Sequence, residues 1–144
     1  MKYQSGTPGR VIVARFEDGE DVVAGLADIV RKENIRAASF NLVGGMKGGR
    51  YVVGPETEMM PPVPVWRGLE ESHEVTGFGT IFWQGDEPRV HLHGVYGKRD
   101  SVRMGCMRQD TQVFLVLEVV VTEIVGIQAV RELDDASGMV LLKL

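Results

Sequence analysis

The sequence has only one cysteine and no long hydrophobic run, and each deficit excludes a class of protein. A single cysteine among 144 residues cannot form an intramolecular disulfide, which argues against a disulfide-stabilised secreted domain. The longest apolar run, residues 113–121, contains Glu118 and is too short for a membrane-spanning helix, which needs about 18 residues. The N-terminus also lacks the apolar core of an export signal. We therefore expect a cytoplasmic protein that does not associate with a membrane.

Neither charge sign nor aromatic content is in large excess. The 16 basic and 20 acidic residues give a net charge of −4, and aromatic residues make up 7% of the chain. This balance argues against general affinity for nucleic acid through phosphate neutralisation. A hydrophobic content of 44% and a charged content of 25% are ordinary for a globular protein. The length fits one sizeable core, so we expect a single domain over residues 1–144.

Positive charge is nevertheless concentrated in one segment, residues 89–108. This segment holds five basic residues and one acidic residue, a local charge of +4 that leaves −8 for the rest of the chain. One interpretation is a site for a small anionic ligand, with Arg99 and Arg103 as the ligand-binding residues; the other is a solvated turn flanked by arginines. The five basic residues are Arg89, Lys98, Arg99, Arg103 and Arg108.

Hydrophobic periodicity predicts one main helix. Between residues 20 and 32 the apolar side chains recur at helical spacing, with acidic residues at the beginning and basic residues at the end. By contrast, the segment RVIVARF at 10–16 is rich in β-branched side chains and predicts a strand. A strand followed by a helix opens the chain.

The remainder of the sequence predicts a mostly antiparallel sheet. After residue 72, strand-like runs alternate with the turns GDEP and GKRD, a pattern typical of an antiparallel meander. The proline-rich stretch 54–66 predicts an extended connection or an edge segment, and residues 129–144 predict two short strands around the turn DDASG. We expect an α+β (α/β-like) fold with a sheet of about six to eight strands packed with the one main helix.

Two histidines with a metal-ligand spacing stand in the segment RVHLHGVYG. His91 and His93 are two residues apart, and in a strand such residues point to the same face. Cys106 falls on the next predicted strand, beyond the turn near Lys98. If paired residues of this hairpin have numbers that sum to 199, Cys106 lies opposite His93. If the sum is even, Cys106 lies on the other face of the sheet, unless a bulge at Gly105 restores it to the face of the histidines.

Two neutral imidazoles and one thiolate suit Zn²⁺ and leave a fourth coordination position open. An open zinc can activate a bound water, and Glu74 or His73 is then the candidate catalytic group for proton transfer if the preceding strand lies alongside. The alternative is that His91 and His93 are polar residues on a solvent face and that Cys106 is a small buried hydrophobe. Whether the protein is an enzyme stays open at this point.

Six segments in order resemble the PPC domain, the plant and prokaryote conserved domain that also occurs in plant AT-hook nuclear proteins. The resemblance covers nearly the whole chain, and the HLH segment with its following turn and glycine-containing strand is its most specific part. After an opening strand, the segments are GEDVVAGLADIVRKENI, ASFNLVGGMKGGRY, HEVTGFGTIF, PRVHLHGVYGKRDSVRMGCM, LEVVVTE, and REL with the DDASG turn.

This resemblance implies a subunit that assembles as a homotrimer, with the histidine cluster near a subunit boundary. Family members commonly have a third histidine on the strand after the HxH pair, and Cys106 occupies that position here, which keeps the site suitable for zinc. Glu74 falls at the glutamate of the family's central motif, and Glu118 falls at the glutamate of its late strand. The chain has no AT-hook, the element that grips the minor groove in plant members.

Three functional hypotheses follow. The first is a cytoplasmic homotrimer that holds zinc at His91, His93 and Cys106 and binds a small anionic ligand. The second is a DNA-binding or regulatory interaction module, in which three basic hairpins of a trimer form one surface. The third is a purely structural trimer without a ligand. The direction of the basic side chains separates the first hypothesis from the second. Side chains that point toward the histidines favour the anion site, and side chains spread over the outside of the trimer favour DNA binding.

Overall fold

The computed structural model describes residues 1–144 and contains one helix and ten strands. The elements follow one another along the chain as β1 (Thr7–Glu17), α1 (Val22–Lys32), β2 (Ala37–Met46), β3 (Gly49–Pro55), β4 (Pro64–Leu69), β5 (His73–Gln84), β6 (Glu87–Lys98), β7 (Ser101–Gln109), β8 (Val113–Val125), β9 (Val130–Asp134) and β10 (Met139–Lys143).

The helix α1 occupies the predicted segment and is capped at both ends. Asp21 is the N-cap residue, and its carboxylate accepts a hydrogen bond from the backbone N–H of Ala24 at 2.8 Å. Arg31 and Lys32 lie in the last turn, where positive charge is favourable. The apolar side chains that produced the helical periodicity, Val22, Leu26 and Val30, are all buried.

Eight strands form one antiparallel sheet in the order β1-β8-β2-β5-β6-β7-β3-β4, which confirms the α+β prediction. The proline-rich stretch lies where proline is tolerated, because it leads into β4 at the edge of the sheet. Strands β9 and β10 pair separately as a two-stranded hairpin around the predicted DDASG turn. The helix of this chain has neither the length nor the apolar character needed to cross a membrane.

The two faces of the large sheet differ in what covers them. One face packs against α1 and forms the main core, in which Phe40, Leu92 and Leu117 are almost completely buried. The opposite face, which we call the outer face, is covered only in part, where the β9–β10 hairpin and the residues before it lie over Ala37 and Phe82, and it carries many exposed apolar side chains. Eight such residues, each more than a third exposed, are Val11, Val13, Val43, Phe78, Val95, Val102, Met104 and Val120.

The β9–β10 hairpin packs against the large sheet through the residues at its beginning. Ala129 is buried against Ala37 and Phe82, and the guanidinium of Arg131 lies 5.9 Å from the centre of the Phe82 ring. Every residue of β10 is exposed although its sequence is MVLLK. The hairpin therefore brings Arg131 to the sheet, while the apolar side chains of β10, which pairs only with β9, remain exposed.

Candidate metal centre

Strands β6 and β7 bring His91, His93 and Cys106 together on the outer face. His93 pairs with Cys106 and Gly94 pairs with Gly105, so the odd-sum register holds and no bulge at Gly105 is needed. Because residues two apart share a face of a strand, His91 lies beside His93 on this surface. The even-sum register, which would have separated the cysteine from both imidazoles, does not occur.

The ligand atoms of these three side chains lie within 4.8 Å of one another. The two Nε2 atoms of His91 and His93 are 3.1 Å apart, and their rings meet edge to face. Tetrahedral zinc with bonds of about 2.0–2.3 Å keeps its ligand atoms roughly 3.3–3.8 Å apart, so small side-chain rotations suffice to fit the ion. The donor set is thus compatible with a metal on both chemistry and geometry.

The three side chains of the cluster differ in burial, and burial shifts the pKa values of His91 and Cys106. Cys106 is buried, His91 is half-buried and His93 is exposed, so the cluster is open on one side. Burial, reinforced by the charge of Arg131, lowers the pKa of His91 to about 4, which leaves its imidazole neutral near pH 7. Burial also raises the pKa of the Cys106 thiol, and a bound cation would favour the thiolate over this thiol.

Two arginines that the sequence analysis did not assign to the cluster lie next to it. Arg131 of β9 places its Nη2 atom 3.4 Å from His91 Nδ1 and 3.4 Å from Thr80 Oγ1. Arg108 lies two residues after Cys106 at an irregularity, because β3 pairs through Arg50 with Gln109 and through Tyr51 with Met107. Such a bulge re-aims the side chain of the extra residue. Both positive charges act on Cys106 and oppose the rise of its pKa.

The sequence offered different signals for these two residues. Arg108 belongs to the basic segment and has the right spacing from Cys106 to share its face, so period-two alternation could have selected it. Arg131 follows His91 by 40 positions. It reaches the cluster only because the β9–β10 hairpin folds against β5, and no local pattern indicates that contact.

The candidate proton-transfer residues lie elsewhere within the chain. Glu74 pairs with Gly97, whereas His93 pairs with Phe78, so four residues of strand, about 13 Å, separate Glu74 from the cluster. His73 is still nearer the beginning of β5, and its Nδ1 atom contacts the carbonyl oxygen of Glu71 at 2.7 Å. The structure therefore does not bring either residue to the histidines of the same chain.

The two arginines expected to bind the anionic ligand are also apart from the cluster. Arg99 shares a shallow pocket of about 440 Å³ with His73 and Glu74. Arg103 pairs with Tyr96 and points, by strand alternation, to the face opposite Cys106, where it lines a pocket of about 480 Å³ with Arg67. Arg108 and Arg131 occupy the position beside the histidines that had been expected for Arg99 and Arg103.

Several solved structures share this fold over nearly the whole chain. A metal-containing protein from Archaeoglobus fulgidus is 22% identical with a TM-score of 0.87, and the match covers all of both chains. A plant- and prokaryote-conserved (PPC) protein from Pyrococcus horikoshii is 24% identical with the same TM-score, over all of this chain and 98% of that one. A candidate DNA-binding protein from Ralstonia eutropha is 19% identical with a TM-score of 0.78, and the match covers 92% of this chain and 90% of that one.

At these identities the structural likeness concerns the fold. No curated protein matches the sequence. The model of one protein family, however, matches residues 3–125, a span that includes α1, all eight strands of the large sheet and the three clustered side chains. This match confirms the family resemblance identified from the sequence segments. The chain belongs to the Plants and Prokaryotes Conserved (PCC) domain family.

Proposed function

We propose that the chain, acting as a single domain, forms a homotrimer that binds zinc through His91, His93 and Cys106 and presents it to a small anionic ligand. The observation that carries this proposal is the convergence of two imidazole nitrogens and one sulfur within 4.8 Å on adjacent strands. That donor set suits zinc, and three protein ligands leave a position for an exogenous group.

Different residues of the chain would contribute different properties to such a site. The neutral imidazole of His91 offers a lone pair near pH 7, and the rigid pairing of β6 with β7 fixes the separation of His93 and Cys106. Bound zinc supplies a Lewis acid. Because Glu74 and His73 lie along β5 away from the cluster, the proposal is restricted to binding.

Self-association is supported by the outer face. Eight apolar side chains are exposed there, four on β5, β6 and β7 near the histidine cluster and four farther away on β1, β2 and β8, and an apolar surface of this kind on a folded chain marks an interaction site. A trimer that covered this face would also place the cluster near a subunit boundary. The neighbouring β10 strand, exposed and apolar, adds a second surface for the same contact.

DNA binding is the alternative function, and the arrangement of basic residues favours it less. Within the segment 89–108, Lys98 is paired with Glu71 at 2.7 Å and Arg89 donates to Gln84 at 2.8 Å. Arg99 and Arg103 lie in different pockets. The basic side chains of one subunit therefore do not form the continuous surface that phosphate contacts require.

Metal content and mass in solution test the proposal on the untagged protein. We expect about one zinc per chain in a trimer, and we expect Cys106→Ser and His91→Ala to lose most of the metal. His73→Ala is the matched control, because it removes the one histidine outside the cluster and should retain the metal.

The measurement can contradict each part separately. A folded wild-type protein that holds no zinc after reconstitution contradicts the metal assignment, whereas a monomeric mass contradicts self-association. Equal metal loss in His73→Ala and His91→Ala would mean that the ion binds elsewhere. Protein that binds a DNA duplex with its zinc removed would support the alternative function.

A further inference from the structure

Arg108 and Arg131 are positive charges without a carboxylate partner. The eight ion pairs of the chain involve neither residue. Arg131 is half-buried over Phe82, and burial together with the charge of Arg108 lowers the pKa of its guanidinium. A partly buried guanidinium with a second positive charge nearby, here that of the exposed Arg108, is unfavourable unless an anion compensates it.

Metal binding would increase this need for an anion. The Nε2 atoms of His91 and His93 face each other, so a shared ion binds at Nε2 of His91 and its proton then resides on Nδ1. A protonated Nδ1 is a donor and cannot accept from the Arg131 guanidinium that now lies 3.4 Å away. With a metal bound, Arg131 thus has no acceptor at His91, and its fork is available to another group.

The local charge also favours an anion. With a divalent ion bound, that ion, the Cys106 thiolate and the two guanidinium groups would carry a net charge of +3. Guanidinium groups recognise oxyanions through paired N–H donors, and they do so better than a single ammonium point charge. The charges of Arg108 on β7 and Arg131 on β9 both act on His91 and Cys106, and that of Arg108 also acts on Arg131, so both guanidinium groups belong to the surroundings of the cluster.

We propose that Arg108 and Arg131 together bind an oxyanion, the phosphate or carboxylate group of a small ligand, at the open side of the His91–His93–Cys106 cluster. The inference deepens the proposed function by assigning its anion specificity to these residues in place of Arg99 and Arg103. One half of this anion site comes from β9, outside the matched span 3–125.

Calorimetric titration with inorganic phosphate and, separately, with malonate tests the assignment at low ionic strength. Each protein is measured twice, metal-free and loaded with zinc, and its metal content and mass are recorded. We expect saturable binding of at least one probe to the metal-free protein and tighter binding after zinc loading. Phosphate preferred over malonate indicates a phosphorylated ligand, and the reverse indicates a carboxylate.

The variants Arg108→Gln and Arg131→Gln should each weaken that binding about tenfold or more, since charge-assisted hydrogen bonds are lost. Arg103→Gln is the matched control and should bind like the wild type. Arg131→Lys keeps the charge and the stem over Phe82 but not the fork, so it serves if Arg131→Gln is poorly folded; we expect an intermediate affinity for it.

Four outcomes overturn the inference, the first three of which concern binding alone. They are the absence of binding by either probe to the wild type, unchanged affinity in both glutamine variants, and loss of affinity in Arg103→Gln instead. A fourth is dissociation of the trimer in Arg131→Gln with unchanged anion affinity, which would assign that arginine to a subunit contact. Failure of the zinc assignment alone is distinguishable, because the metal-free titration does not depend on it.

Discussion

Tyr51 and Tyr96 are the largest side chains completely buried in the core. Their ring centres are 5.1 Å apart, and neither hydroxyl has a hydrogen-bond partner within the chain. Burial is also the main cause that raises the pKa of Tyr96. A buried hydroxyl without a partner costs free energy that the apolar ring must offset.

Replacing Tyr96 with Phe should leave the free energy of unfolding unchanged or raise it by about 1 kcal/mol, because the ring stays and the unpaired hydroxyl goes. Urea unfolding of Tyr96→Phe against the wild type measures this difference. The control is Tyr3→Phe, which alters an exposed hydroxyl and should have no effect. A loss above about 1 kcal/mol would show that the Tyr96 hydroxyl is hydrogen-bonded after all.

Among single residues, the sequence predicted those whose proximity follows from one local hairpin. His91, His93 and Cys106 lie on one hairpin, so strand alternation and one register condition were enough to join them. Glu74 and Arg131 depend on longer-range placement. The position of Glu74 requires the register of β5 against β6, and that of Arg131 requires the docking of a separate hairpin.

Among the elements, the turn after β1 fixes an irregular part of β8. The Asp18 carboxylate accepts the N–H of Leu115 at 2.9 Å and pairs with Lys47 at 2.6 Å. Leu115 has a φ of 62°, in the left-handed region that is unfavourable for a leucine, at a bulge in the pairing of β2 with β8. The Asp18 contact therefore stabilises a strained backbone.

This contact should make stability depend on pH in acid. The hydrogen bond from Lys47, and then that from Leu115, lower the pKa of Asp18 in the folded state. Its contribution is complete above the unfolded pKa of about 3.9 and is lost as pH falls through the lower folded pKa. We expect Asp18→Asn to be less stable than the wild type at pH 7 and the difference to shrink below about pH 3.

Urea midpoints of both proteins from pH 7 to pH 2.5 measure that difference, with Asp86→Asn in the exposed β5–β6 turn as the control. A gap in urea midpoint between Asp18→Asn and the wild type that stays constant over this range would mean that the charge of Asp18 does not contribute to stability.

Strands β3 and β4 show the limit of sequence patterns at the scale of elements. Prolines indicated that the segment 54–66 lies at an edge, but the pairing of β3 with β7, which attaches this edge to the sheet, depends on distant residues.

For the molecule as a whole, the exposed apolar outer face is the feature that a solution measurement can test. Val43 is 56% exposed on this face, whereas Val53 is 46% exposed beside Arg103 on the other side of the sheet. The two valines are comparable in exposure and lie on opposite faces, so Val53 on β3 serves as the control for Val43 on β2.

A lysine at Val43 should prevent association, because each interface would have to bury an unpaired charge. We expect the mass of Val43→Lys in solution to fall toward that of one chain, 15.9 kDa, while Val53→Lys keeps the mass of the proposed trimer. Light scattering after size-exclusion chromatography measures both. Dissociation by Val53→Lys alone would move the interface to the opposite face of the sheet.

The sequence separations of the paired strands imply an order in which the pairs form during folding. The candidate metal ligands lie between residues 91 and 106 on a tight hairpin, whereas the β1–β8 pair joins Thr7 to Val125. Closing a short loop is entropically cheaper and faster than pairing distant strands. The hairpin can thus offer its ligands to an ion before the ends of the sheet meet, and a metal bound there would act as a nucleus for folding. Refolding should then be slower in the presence of a chelator.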